Sequence, residues 1–347
     1  MTRKLRKCLF FSLLALFIIV VPLILSYSQG YRFDFENKKI VRTGAFYFKV
    51  FPSGAEIYLN GKLEKKTSFL GSALIENLLP KKYEIEIKKE GYHLWKKSLE
   101  IKEAKVSEAK NIILWPENPK FELLEKGVKD SSLLLDEEKI ISEEEISSIL
   151  KNPITYQIFP NNIIWLAPDG FIYKSDFAGK LLEVLNLKPI SIKKEIEYQI
   201  FFEKENLFLK EGLNLLYLNP KTREFEKIFD SLSNLSFSPD YKKAVLTNNW
   251  EIWILFLEKI YGQPQKEAGE KLFLTRFSEE INQIFWLNSH YLIFNTGNKL
   301  KIVEIDDRDR INIIDLAEFK NPKIYFSKKS LYLLSNENLY SLEKLIP

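Results

Sequence analysis

The sequence predicts an all-β body behind a single N-terminal transmembrane helix. The body reads as a small β-sandwich followed by a β-propeller of five or six blades. Three observations carry this. An uncharged apolar run extends from Cys8 to Tyr27. Apolar residues alternate with period two through much of residues 44–115. A strand-rich unit then recurs from residue 120 to residue 347.

The apolar run, CLFFSLLALFIIVVPLILSY, sits directly behind Arg3, Lys4, Arg6 and Lys7. A helix rises ~1.5 Å per residue, so the run spans ~30 Å, the thickness of a bilayer's hydrocarbon core. From Leu9 to Leu25, fourteen of seventeen residues are Leu, Ile, Phe or Val. At roughly −0.3 to −0.6 kcal/mol each, insertion gains about 4 to 8 kcal/mol, more than Ser12 and Pro22 cost. The basic flank has no acidic counterpart. The positive-inside tendency makes residues 1–7 a cytoplasmic tip and 8–27 a signal anchor. Residues 28–347 are then extracytoplasmic, and the protein is a single-pass cell-membrane protein.

A cleaved signal peptide is the rival reading, with Ser26-Tyr27-Ser28 as the cleavage region. Its apolar stretch would usually be ~7–15 residues, shorter than this one. Cys8 precedes the apolar run instead of following it, so it is not a lipid-bearing cysteine.

The formal charge is +4 over 347 residues. The four basic residues before Cys8 account for all of it, which leaves the exported body neutral. A nucleic-acid partner needs a basic stripe, so the neutral body argues against that class. Cys8 is the one cysteine. The body therefore has no disulfide, no Cys-bound metal and no Cys nucleophile. Its stability must come from buried apolar surface, and aromatics make up 14% of the chain.

Residues 28–43 read as an extended connector in which Tyr31, Phe33 and Phe35 alternate. Tyr27 and Tyr31 are expected at headgroup level, where amphipathic rings are favoured. From Gly44, Phe46, Phe48 and Val50 alternate with Tyr47 and Lys49, the period of a half-buried strand. Pro52-Ser53-Gly54 breaks it, and Ala55 to Leu59 resumes it. Asn60-Gly61 follows, the strongest two-residue hairpin signal, because both residues tolerate φ > 0. Tyr83, Ile85 and Ile87 then alternate with Glu84, Glu86 and Lys88. Gly91 ends that strand, Tyr92 to Ile101 forms the next, and Val106 to Leu114 closes the unit. Tyr92 is expected in the core, and Trp95 is left open.

These residues carry a resemblance. Phe51-Pro52-Ser53-Gly54-Ala55, Ile57-Tyr58-Leu59-Asn60-Gly61-Lys62, Tyr83-Glu84-Ile85-Glu86-Ile87 and Gly91-Tyr92 stand in the order of a PEGA domain. Residues 44–115 thus resemble that family, a short β-sandwich module of exported, cell-surface proteins. Two turns depart from it. Thr67-Ser68 replaces the family's Gly-x-Thr-Pro, and Lys81-Lys82 replaces a Gly before the Tyr83 strand. The resemblance implies a spacer or adhesive module and brings no catalytic residue with it.

Residues 120–347 contain five similar units. Tyr156–Phe159 leads to Ile163–Ala167, a Pro168-Asp169-Gly170 turn, Phe171–Ser175 and Lys180–Leu185. Tyr198–Phe202 leads to Asn206–Lys210, Leu213–Leu218 and Glu224–Phe229. Asn234–Ser238 leads through Pro239-Asp240 to Lys243–Thr247, Trp250–Leu257 and Lys271–Phe277. Gln283–Leu287 leads to Tyr291–Asn295, Lys299–Ile305 and Ile311–Leu316. Lys323–Ser327 leads to Ser330–Leu334 and Leu339–Leu342. Counted at Ile158, Ile200, Leu235, Ile284 and Ile324, the units lie 42, 35, 49 and 40 residues apart. That spacing suits four-stranded propeller blades.

Phe237-Ser238-Pro239-Asp240 followed by Trp250-Glu251-Ile252-Trp253 resembles a WD40/TolB-type blade. The fifth unit lacks a fourth strand. Phe121–Leu124 is expected to supply it and so to remove an open sheet edge. A sixth blade is possible only if Gly127–Asn152 forms a degenerate one. In that stretch Ser142 and Glu145 match a capping box, and Ile146, Ile149 and Leu150 share a helical face.

Reactive groups are few. His93 is placed on a sandwich strand and His290 in a blade turn, and neither has a second His or Cys nearby in sequence. Asp306–Arg310 reads as a solvated hairpin, because Arg308 occupies the middle of what would be a calcium loop. No phosphate loop, dinucleotide fingerprint or nucleophile elbow is present. The expectation is therefore no catalytic, cofactor-binding or metal residue. The predicted role is a non-catalytic, membrane-anchored surface protein whose propeller binds an envelope protein or glycan. The alternative is a surface carbohydrate hydrolase that uses two propeller-channel carboxylates ~5–9 Å apart.

Overall fold

The computed structural model describes residues 3–128, 146, 149–150, 152–327 and 330–342. Strand dominates it. Two compact units partition the chain. One comprises residues 1–118 together with Asp307–Asn312, and the other comprises most of 119–346.

The first unit begins with helix α1, Arg3–Ser28. No residue of α1 is buried, and its most apolar 18-residue window has a mean hydropathy of 3.1. It is long and apolar enough to cross a membrane. Ser12 Oγ donates to the Leu9 carbonyl at 3.0 Å, so the hydroxyl is satisfied inside the helix.

Residues 31–42 correct the connector expectation. They form a β-hairpin of β1, Tyr31–Asp34, and β2, Lys39–Arg42. Asp34 makes the turn: its carboxylate accepts from the Glu36 and Asn37 amides at 3.0 and 3.1 Å, and from Asn37 Nδ2 at 2.8 Å. The alternation of Tyr31 and Phe33 pointed to extended backbone. The return strand was hidden because Lys39-Ile40-Val41-Arg42 holds only two apolar residues.

Seven strands then build a sandwich: β3 Gly44–Phe51, β4 Glu56–Leu59, β5 Lys62–Lys66, β6 Ser72–Leu78, β7 Lys82–Lys88, β8 Trp95–Glu100 and β9 Val106–Ile113. One sheet has the order β6-β3-β9 and the other β5-β4-β7-β8. Phe46, Phe48, Ile57, Ile85 and Ile87 are fully buried in one core, with Trp95 and Leu99. Trp95 is therefore a core residue, and Tyr92 packs partly buried against the same cluster. Asn60 and Gly61 take φ of 49° and 80° and join β4 to β5, the two positive values that a tight hairpin demands. The outward face of the four-stranded sheet is ionic. Lys66 pairs with Glu56 at 2.9 Å and Lys96 with Glu86 at 2.9 Å, as befits a solvated side.

Strand β8 is the edge of that sheet, and Asp307–Asn312 covers it within the same unit. Asp309 Oδ2 accepts from the Ser98 amide at 2.8 Å, and Arg310 Nε donates to the Lys96 carbonyl at 3.2 Å. These are bonds that a neighbouring strand would otherwise make. Fully buried Lys97 donates through Nζ to the carbonyls of Arg308, at 3.0 Å, and Arg310, at 2.7 Å. The expectation of a solvated hairpin at Asp306–Arg310 is thus corrected. Its charges serve an edge strand, which local sequence cannot show.

The second unit is a β-propeller of four-stranded antiparallel sheets. Strand β10, Glu122–Lys126, stands first. The blades follow as β11 Thr155–Ile158, β12 Ile163–Leu166, β13 Ile172–Ser175 and β14 Leu181–Val184. Next come β15 Tyr198–Glu203, β16 Asn206–Glu211, β17 Asn214–Leu218 and β18 Phe225–Phe229. The third holds β19 Asn234–Phe237, β20 Lys243–Thr247, β21 Glu251–Phe256 and β22 Lys271–Arg276. The fourth holds β23 Ile281–Asn288, β24 Tyr291–Thr296, β25 Lys299–Glu304 and β26 Ile313–Glu318. The last holds β27 Lys323–Ser327, β28 Ser330–Ser335 and β29 Asn338–Leu342.

Five such sheets are present among the described residues, and β10 completes the last by pairing with β29. The strand expected from Phe121–Leu124 is therefore there, one residue later. Second strands are the most buried, as in β20 and β24, where every residue is buried. First strands of adjacent blades touch, β11 to β15, β19 to β23 and β23 to β27, which places them innermost. Ile146 and Leu150 are helical and buried against Ile163. The Ser142 and Glu145 cap lies outside the described residues.

Candidate functional site

A dense polar cluster in the propeller unit grows from the turn between β19 and β20. Ser238 is fully buried and its Oγ has three partners. It donates to Asp240 Oδ1 at 2.6 Å, lies 3.0 Å from the Lys243 carbonyl, and accepts from the Lys243 amide at 3.0 Å. Pro239 can hold the corner because its missing N–H is not needed there. Asp240 also accepts from the Lys242 amide at 3.1 Å and from Lys243 Nζ at 2.9 Å. Lys243 is buried, 3% exposed, so its ammonium depends on that carboxylate.

Burial alone would raise the Asp240 carboxyl, but hydrogen bonds from Ser238, Lys243 and the Lys242 amide bring it down to about 2. His290 lies in the turn between β23 and β24, as expected from the sequence. Its amide donates to Asn288 Oδ1 at 2.7 Å, and its carbonyl accepts from the Ile305 amide at 3.1 Å. Burial pushes the imidazole down to about 4, helped by the charge of Lys243 and opposed by Asp240 and Asp306. At neutral pH the cluster therefore holds a locked carboxylate, a paired ammonium and a neutral imidazole. Neither the carboxylate nor the imidazole is poised to exchange a proton near pH 7. Ser238, Asp240 and Lys243 fix the turn, and Trp286 Nε1 joins the two blades with a bond to the Ser236 carbonyl at 3.1 Å.

A second element sits on the innermost strands. Gln157 Oε1 on β11 accepts from the Phe202 amide of β15 at 2.8 Å. Gln283 Oε1 on β23 accepts from the Ile324 amide of β27 at 2.7 Å. Each glutamine thus stitches one blade to the next. Sequence reasoning missed them, although a signal exists: Gln-Ile-Phe recurs at 157–159, 199–201 and 283–285. The innermost strands carry one carboxylate, Glu203, among their described residues. The pair that glycoside hydrolysis needs is not on them.

His93 lies just before β8, not within the strand. Its amide donates to the Trp115 carbonyl at 2.8 Å, and Nε2 is buried without a protein hydrogen-bond partner. His93 and His290 belong to different units. Among the described residues no three His, Cys, Asp or Glu side chains are disposed to hold a metal.

No family model matches the chain, and no curated protein matches it. Solved structures do. The propeller domain of Cps50 (Swd1) from Myceliophteria thermophila is 12% identical, with a TM-score of 0.35 over 52% of this chain and 66% of that one. The extracellular domain of a putative hybrid two-component system from B. thetaiotaomicron is 16% identical, with a TM-score of 0.37 over 56% and 28%. YCF48 from Cyanidioschyzon merolae is 12% identical, with a TM-score of 0.38 over 75% and 91%. The chain spans less than two thirds of the first and little more than a quarter of the second. The blade assignment rests on the sheet topology itself.

Proposed function

We propose that the protein is a membrane-tethered binding scaffold. The helix α1 anchors it, with Arg3, Lys4, Arg6 and Lys7 retained on the cytoplasmic side and residues 28–347 outside. The sandwich, read as a PEGA-like spacer or adhesive module, leads to a propeller that holds an envelope protein or a glycan. The single observation that carries this is the propeller's innermost ring. Among the described residues its strands meet through apolar contacts and glutamine stitches and carry one carboxylate, while Asp240 and His290 are each held in a separate turn between blade strands. That is the construction of a rigid platform, not of a reaction centre.

The test uses the full chain in lipid nanodiscs, exposed to an envelope extract and cross-linked. One envelope protein or glycan retained through propeller peptides, and released by excess free chain, is the expected result. Release of reducing sugar from envelope glycan by the purified chain would overturn the reading in favour of a hydrolase.

A further inference from the structure

The hairpin β1–β2 is amphipathic in a sense opposite to that of a water-facing hairpin. Its inward side is tied down: Val41 is 2% exposed and Asp34 4%. Its outward side is apolar. Phe35 is 82% exposed, Ile40 71%, Phe33 47% and Tyr31 37%. These residues form one face. Phe33 pairs directly with Ile40 across the ladder, Phe33 and Phe35 rings pack edge-on at 5.0 Å, and Arg42 sits over the Tyr31 ring at 5.6 Å. Four aromatic or aliphatic side chains contiguous on a two-stranded ribbon demand a cover.

The position of this face says what covers it. Helix α1 ends at Ser28 and β1 starts at Tyr31. Arg32 fixes the junction. Its Nη1 donates to the Tyr27 carbonyl at 2.7 Å, its guanidinium stacks 3.4 Å from the Tyr27 ring centroid, and Nη2 donates to Asn77 Oδ1 at 3.0 Å. Thr43 closes the base through its amide and Oγ1, both to the Gly30 carbonyl, at 2.8 and 3.0 Å. The hairpin is thus held beside the helix terminus, not on a free linker.

Its charge agrees. Arg32, Lys38, Lys39 and Arg42 stand against Asp34, buried in the turn, and Glu36, which pairs with Lys81 at 3.5 Å. A cationic ribbon with an exposed Tyr-Phe-Phe-Ile face has the chemistry of an interfacial membrane element.

We propose that the β1–β2 hairpin lies in the headgroup layer of the bilayer that α1 spans, with its Tyr31–Phe33–Phe35–Ile40 face turned to lipid. The occupant of the face is the lipid surface, and the hairpin is a second membrane contact that sets the sandwich against the bilayer. The inference rests on reading α1 as a membrane span.

The test is site-directed spin labelling of the full chain in vesicles of phosphatidylcholine and phosphatidylglycerol, with Cys8→Ser removing the native thiol. Single cysteines replace Phe17, Phe35, Ile40 or Phe69, and power saturation compares oxygen with a water-soluble nickel chelate. Phe69 is 86% exposed in the turn between β5 and β6, at the end of β6 away from the Asn77 that Arg32 holds. All the sandwich and hairpin labels replace surface side chains, so the cores stay intact.

The expected result is chelate accessibility at 35 and 40 several-fold below that at 69, with oxygen accessibility above it. Equal values at 35, 40 and 69 overturn the proposal while α1 remains an anchor. Shielding of 35 and 40 from both reagents also overturns it, and assigns the face to a second copy of the chain. A chelate-accessible label at 17 removes the anchor and this inference together.

Discussion

Acidification is expected to weaken the propeller through His290. In the unfolded chain its imidazole titrates near 6.5, and in the folded protein near 4. Between those values the unfolded state binds more protons. The contribution is therefore complete above pH 6.5 and is lost as the pH falls toward 4. A difference of about 2.5 units at about 1.36 kcal/mol each gives roughly 3 kcal/mol. Asp240 does not obscure this window. Its carboxyl is depressed from 3.8 to about 2, so its contribution holds above 3.8 and goes only below that.

The perturbation is His290→Gln, which leaves the backbone bonds to Asn288 and Ile305 in place. Urea unfolding of the full chain in detergent, at pH 7.5 and 4.5, should show most of that loss in the parent and a flatter response in the variant. The chain has two histidines, so carbon-13 spectra of the imidazole Cε1 can follow the midpoint directly, with the variant providing the assignment. A His290 midpoint near 6.5, or equal pH slopes for parent and variant, would refute the reasoning.

Lys97→Met should cost about 3 kcal/mol, because two backbone carbonyls of the 308–310 segment lose a charged donor. Trypsin should then cleave faster after Arg308 and Arg310, and an unchanged digestion rate would count against the edge-cover description. Gly170→Ala should cost at least about 2 kcal/mol. Gly170 has φ +84°, and a Cβ there would sit 2.1 Å from the Ile190 carbonyl oxygen. A melting temperature equal to the parent's would contradict this. Gln157→Leu and Gln283→Leu should each cost about 1–3 kcal/mol by orphaning an inner-strand amide. They act in separate blades, so the double variant should shift the urea midpoint by the sum of the two shifts.

Strands were legible wherever a local pattern carried them. Ile163–Leu166, Asn206–Glu211 and Lys243–Thr247 were readable from short apolar runs between turn residues. Asn60-Gly61 and Pro168-Asp169-Gly170 were readable from the φ values that their turns require. The closing role of β10 was readable because the fifth unit held three strands. What escaped depends on partners remote in sequence. Lys97 looks like a surface lysine on an alternating strand until residues 308–310 arrive beside it. Gln157 and Gln283 look like polar inner-strand positions until the next blade presents an amide. Lys243 is one cation among 51 basic residues, and only the Ser238–Asp240 turn shows why it can be buried.

The pairing of β10 with β29 has a consequence for timing. Lys126 faces Asn338, 212 positions later in the chain. At about 5–20 residues per second, synthesis leaves β10 waiting on the order of 10–40 s for its partner. During that interval its backbone is an open template at the front of a growing row of blades. All five residues of β10 are exposed even after closure, and two glutamates and a lysine stand among its five side chains. That composition discourages foreign strands while the proper one is still being made.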